Sequence, residues 1–237
     1  MKIRSAPYRT FLENLSFLFC VLLIFCDSTY ASTTLVVALD SSGSLDKGAD
    51  RSKICVVSAL RAASELEPGD KLVIVEINDD SYAVKHPLFE KDFLVRSSNP
   101  LHVKVGRDLF QEEIDSTLNL WLKTSSKRTK IVDAFFWVSE YFSFSKAGKK
   151  RLLVCSDGIE DSAIADMEKG VRTGLLDKMV RDKIVPLSSG GLHNVEVMWV
   201  GLGGKKEVKH INAIKEFWIS YFDRTGAKLV RMGRPGL

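Results

Sequence analysis

Three short stretches of this chain bring together residue types that could hold a metal. LVVALDSSGSL (35–45) runs from an apolar segment into Asp40, Ser42 and Ser44. TSSKRTKIVDAF (124–135) carries Thr129 at the entrance to an apolar segment with helical spacing. LLVCSDG (152–158) carries Asp157 just past an apolar segment. Together they offer two carboxylates and three hydroxyls, with no His or Cys in the set. Hard oxygen donors of this kind select a hard cation such as Mg²⁺ over zinc or copper. Taken singly, each stretch has a plainer account, because Ser-Gly and Asp-Gly sequences are ordinary turns.

The chemistry therefore depends on the elements that carry these residues. Apolar runs of strand length recur at 34–39, 71–77, 151–156, 195–200 and 227–230. Several are near-continuous rather than alternating, as expected of strands covered on both faces. Between them lie helix-spaced segments. One covers residues 54–66 and is stopped by PGD (68–70); a second is RDLFQEEIDSTLNLWLK (107–123); a third is KIVDAFFWVSEYF (130–142). Further helices are expected at 163–182 and 206–223. Residues 79–105 break this rhythm. YAVKHPLF (82–89) and HVKV (102–105) read as short edge or hairpin strands, with Pro87 keeping the first away from the sheet centre.

Strands alternating with helices predict an α/β, Rossmann-like fold. The sheet would be doubly wound and mostly parallel, with one antiparallel edge strand and helices on both faces. In such sheets ligands bind beyond the carboxyl ends of the strands, where the winding reverses. Asp40 and Asp157 each end a predicted strand. If those strands are neighbours at the reversal, both carboxylates face one crevice.

Asp-x-Ser-x-Ser after the first strand, a Thr opening a later helix, and Asp-Gly after a hydrophobic strand resemble the von Willebrand factor A domain. The three pieces match its metal-ion-dependent adhesion site. The resemblance extends over about residues 33–231, including VMWVGLGG and a last helix followed by RTGAKLV. It implies that Ser42, Ser44 and Thr129 ligate Mg²⁺ (or Mn²⁺ or Ca²⁺) through hydroxyls, and that Asp40 and Asp157 act directly or through water. It further implies that an Asp or Glu from a protein partner completes the coordination sphere. With only two charged ligands among five, the ion would stay electrophilic toward that carboxylate.

Lys127 and Arg128 depart from the family pattern, which often has Gly shortly before the Thr. As cations flanking the site they would attract an acidic partner. Leu45, Lys127, Arg128, Gly158, Glu160 and Asp161 form the expected partner-binding rim. For Glu160 and Asp161 the reading is a solvated rim or a helix N-terminal charge pair; a role behind the metal ligands is the alternative.

The N-terminus is different in kind. Lys2, Arg4 and Arg9 precede SFLFCVLLIFC, and DSTYAST then turns small and polar. A basic segment, an apolar core and a small-residue site describe a secretory signal peptide, with cleavage expected after Ala31. The core falls well short of the roughly 20 apolar residues that span a bilayer. Retention as an uncleaved anchor is the alternative, and a lipid anchor on Cys26 is disfavoured by the bulky Phe25. Residues 32–237 would then be one domain, periplasmic or extracellular, attached to a membrane only through an uncleaved N-terminal segment. Cleavage would leave Cys55 and Cys155, read as buried free thiols rather than a bridge or a metal site.

The formal net charge of +4 has both signs interspersed, so no basic stripe argues for nucleic acid. GLGG (201–204) lacks the full spacing of a dinucleotide loop, and neither a GxSxG elbow nor a Walker loop occurs. His86, His102, His193 and His210 are scattered. The aromatic run FFWVSEYFSF is read mainly as helix packing, with Phe136 and Trp137 off the apolar stripe. The expected function is metal-dependent protein binding in a bacterial envelope, not catalysis. A metal-dependent hydrolase and a structural module with an empty site are the competing readings.

Overall fold

The computed structural model describes residues 32–42, 50–80, 86–95, 97–163, 166–167, 169–170, 178, 190–203 and 208–233. The chain divides into two units, Met1–Ala31, which lies outside those residues, and Ser32–Leu237. In the second unit the elements run β1 (Thr33–Asp40), α1 (Asp50–Ser64), β2 (Lys71–Ile77), β3 (Phe89–Asp92), α2 (Pro100–Trp121), α3 (Ile131–Phe144), β4 (Lys149–Cys155), β5 (Glu196–Val200), α4 (Val208–Thr225) and β6 (Lys228–Gly233).

The sheet order is β3-β2-β1-β4-β5-β6. Every pairing is parallel except β2 with β3, which makes β3 the antiparallel edge. The period of two along each strand sends alternate residues to opposite faces. From β1, Val36 and Ala38 join a core with Val73, Leu152, Val154 and the inner sides of α3 and α4. Leu35, Val37 and Leu39 join the other, with Leu72, Ile74, Leu153 and the inner sides of α1 and α2. A strand covered on both faces cannot alternate with polar residues, and TLVVAL does not.

The aromatic run packs as expected. Phe135 and Phe142 are buried, and Phe136, Trp137 and Tyr141 pack partly against the same core. The Phe135 ring lies 5.5 Å from Trp218 and 5.9 Å from Trp199 in edge-on contacts, geometry that suits aromatic quadrupoles. Cys55 and Cys155 are free and buried on the opposite face of the sheet.

The sequence expectation fails at HVKV. Residues 102–105 belong to α2, which starts at Pro100 rather than near Arg107. Asn99 caps the helix, its Oδ1 accepting the Leu101 N–H at 2.9 Å, and Pro100 takes the first turn, where no N–H is needed. Val103 is half-buried and Val105 exposed, so the alternation in HVKV marks no sheet face. The edge strand is instead FEKD (89–92), which shares only Phe89 with YAVKHPLF; residues 82–85 of that segment lie outside the described residues. Most of the helix expected at 163–182 lies outside them as well. Among the described residues, no helix is long and apolar enough to cross a membrane.

Candidate metal centre

β1 and β4 are parallel neighbours in register, Leu39 beside Cys155. The winding reverses between them, since β2 lies on one side of β1 and β4 on the other. Asp40 and Asp157 thus leave adjacent strand ends into one crevice. Both are buried. Asp40 Oδ1 accepts the Ser42 N–H at 2.8 Å, closing an Asx turn, and Oδ2 accepts the Ser156 hydroxyl at 2.6 Å. Asp157 Oδ1 accepts the Ile159 N–H at 3.0 Å.

Electrostatics at this crevice are unfavourable for two anions alone. Burial, and then the negative charge of Asp157, push the Asp40 carboxyl up to about 7, against the pull of the Ser156 and Ser42 hydrogen bonds. Desolvation of a charge and proximity of a like charge act in the same direction here. A cation between the carboxylates would relieve both.

The third stretch is tied to the first two by backbone. Ser42 bridges Ser126 in parallel, and the Ser126 N–H reaches the Ser41 carbonyl at 2.8 Å. The Thr129 carbonyl accepts the Asp161 N–H at 2.8 Å. Thr129 is buried and stands two residues before α3. The structure therefore brings Asp40, Ser42, Thr129 and Asp157 to one end of the sheet. Ser44 and Leu45 lie outside the described residues.

Of the expected rim, Lys127, Arg128 and Asp161 are exposed. Glu160 is not: it is fully buried, and its Oε2 accepts the Val132 N–H at 3.0 Å. The solvated-rim reading of Glu160 is thereby corrected. Lys130, in the capping position of α3, has no side-chain cap hydrogen bond, and the Glu160 carboxylate supplies one from the next loop. Burial dominates its titration and raises the carboxyl to about 8, although hydrogen bonds from Ser162, Val132 and Ile131 favour the anion. Gly158 is also buried rather than at the rim. Its φ is +82°, and an added Cβ would stand 2.7 Å from Leu202 Cδ1.

Several positioning residues escaped the sequence reading. The indole N–H of Trp199 donates to the Ser156 carbonyl at 2.8 Å, and that of Trp218 to the Gly158 carbonyl at 2.9 Å. The two indoles hold the loop on either side of Asp157. On the other flank Glu76, at the end of β2, accepts from the hydroxyls of Ser41 and Thr124. Asp79 Oδ1 accepts from Ser126 Oγ at 2.9 Å and from the Arg128 N–H at 2.6 Å. The signal that could have found Asp79 is INDD (77–80), a third strand end bearing carboxylates. No sequence pattern announces the indoles.

The donor set fits a hard divalent cation: two carboxylates brought close in a buried crevice, with hydroxyls from two loops. Among the described residues no group of three or more His, Cys, Asp and Glu is placed to hold a metal.

Comparison with protein-family models gives no match, and neither does comparison with curated proteins. Solved structures do match in fold. A D319A mutant of the PilB minor pilin from Streptococcus sanguinis superposes with a TM-score of 0.50 at 13% identity, over 85% of this chain and 57% of the pilin chain. A von Willebrand factor type A structure from Catenulispora acidiphila gives 0.41 at 12% identity, over 82% of this chain and 41% of that one. The chain thus spans little more than half of the pilin it resembles. The pilin match concerns the fold alone: an α/β domain with a six-stranded, mostly parallel sheet and one antiparallel edge strand, the class that the sequence predicts.

Proposed function

We propose that this protein is an exported binding module. It holds Mg²⁺, or Mn²⁺ or Ca²⁺, through Asp40, Ser42, Ser44, Thr129 and Asp157, and presents that cation to an Asp or Glu of a protein partner. The observation that carries the reading is the buried Asp40–Asp157 pair at the switch point, where the charge of Asp157 adds to burial in raising Asp40 to about 7. Such a pair is costly without a counter-ion and favourable with one. When bound, the ion would supply an electrophilic position open to one further anionic oxygen.

The chain's own residues divide the remaining work. Asp40 and Asp157 would neutralise the cation, and the hydroxyls would complete its oxygen shell. Lys127 and Arg128, exposed on the loop before Thr129, would draw an acidic partner toward it. Export rests on the N-terminal segment; the matched PilB structure is that of a minor pilin.

Thermal unfolding tests the reading. Millimolar Mg²⁺ should raise the melting temperature of the wild type, because ligand that binds only the folded state stabilises by mass action. Asp40→Asn should abolish the response while melting no lower than the metal-free wild type, since the substitution removes a buried like charge. An unchanged wild-type melting curve with and without Mg²⁺ would overturn the proposal.

A further inference from the structure

We infer that the groove between α1 and α2 is a second interaction surface, separate from the metal centre, which takes a basic amphipathic helix of a protein partner. α2 buries Phe110, Ile114, Leu118 and Trp121 against the sheet. On its outer side Leu101, Val105 and Leu109 recur every four residues, which is one helix face. With Val57 of α1 they are 50–64% exposed. The stripe from Leu101 to Leu109 runs about 12 Å along the helix, roughly two turns of an occupant.

Shape and charge both specify the occupant. A groove of about 560 Å³ lies between the helices, with Leu60 of α1 and Val105 and Leu109 of α2 as its apolar walls. Asp108, Glu112 and Asp115 line it too, and among the described residues no cation does. Asp115 accepts from the Asn119 amide at 3.1 Å, whereas Asp108 and Glu112 have no ion pair among the described residues. Nearby acids are otherwise matched: Glu113 pairs with Lys91 at 2.6 Å and Glu65 with Arg151 at 2.8 Å. Gln111, also in the wall, has a buried Nε2 with no hydrogen-bond partner among the described residues, a donor that a side-chain rotation toward an occupant would satisfy. Apolar walls beside unpaired carboxylates fit a helix with an aliphatic face bordered by Lys or Arg. They disfavour an anionic membrane surface, which the same carboxylates would repel.

The test uses fluorescence anisotropy with a labelled model helix that carries leucines on one face and lysines on its borders. A counterpart has glutamates in place of the lysines. The lysine peptide should bind, the glutamate peptide should not, and raised salt should weaken binding. Leu109→Ser and Glu112→Lys are surface changes expected to leave the fold intact, checked by circular dichroism, and each should weaken binding about tenfold. Binding should be equal in Mg²⁺ and in EDTA, so a failed metal centre and a failed groove are told apart. Equal binding of both peptides, wild-type affinity in both variants, or loss of binding in EDTA would overturn the inference. So would sedimentation showing a dimer that Leu109→Ser dissociates, since the occupant would then be a second copy.

Discussion

The hydroxyl of Ser156 donates a 2.6 Å hydrogen bond to Oδ2 of Asp40, joining the last residue of β1 to the first residue after β4. The Ser156 hydroxyl oxygen in turn accepts the Gly158 N–H at 3.0 Å. One side chain thus fixes the carboxylate that ends one strand and shapes the loop that carries the other. Neither Asp could be aimed by its own strand alone, because a strand end sets where a side chain begins and not where it points.

Ser156→Ala should therefore act on both. The buried Asp40 oxygen loses its donor, and leaving such a group unsatisfied costs about 1–3 kcal/mol. Urea unfolding followed by circular dichroism should show that loss. Mg²⁺-induced stabilisation should shrink in the same variant, because Asp40 is no longer held.

Gly158→Ala meets two obstacles, a left-handed φ of +82° and a Cβ 2.7 Å from Leu202 and 3.1 Å from Ile214. We expect a loss of at least about 1 kcal/mol from backbone strain, with overpacking adding to it. A melting temperature equal to wild type would contradict the packing described for this loop.

The metal-free protein should lose stability as pH rises. Asp40 titrates near 7 and Glu160 near 8 in the folded state, against ordinary values of 3.8 and 4.5. Folded carboxyls with raised values keep protons that the unfolded chain has released, so the unfolded chain binds fewer protons. Stability is then fully present below about pH 4 and declines up to about pH 8 as far as these groups are concerned. Melting curves across that window should fall for wild type and flatten at the alkaline end in Glu160→Gln. Saturating Mg²⁺ should flatten the Asp40 part by pairing with its anion.

Two phenylalanines of the aromatic run should separate sharply. Phe135 is fully buried among Trp199, Trp218, Tyr221 and Phe222, whereas Phe144 is 79% exposed. Phe135→Ala should cost about 3–5 kcal/mol. Phe144→Ala should stay within about 0.5 kcal/mol, as surface changes generally do. Chemical denaturation of both variants measures the difference.

Much of this protein is decided by local sequence. The continuous apolar runs specified buried parallel strands, because a strand covered on both faces has no polar side to display. KLVIVEI is the clearest case, its predicted limits coinciding with those of β2. Asp40, Ser42, Thr129 and Asp157 were legible as candidates because each sits at an element boundary. HVKV misleads because two valines at alternate positions mimic the period of a strand, whereas in α2 they fall on different sides of the helix, Val103 half-buried and Val105 exposed; Asn99 with Pro100 decides for the helix.

Only the tertiary structure decided what each charge does. Glu160 and Asp161 are adjacent in sequence, yet one is buried beneath the N-terminus of α3 and the other faces water. Glu76, Asp79, Trp199 and Trp218 reach the site loops from other strands and from α4, contacts between residues far apart in the chain that no spacing encodes. Sequence determines which oxygens can serve a cation. The packing of β1 against β4, and the indoles and carboxylates around them, decides where those oxygens meet.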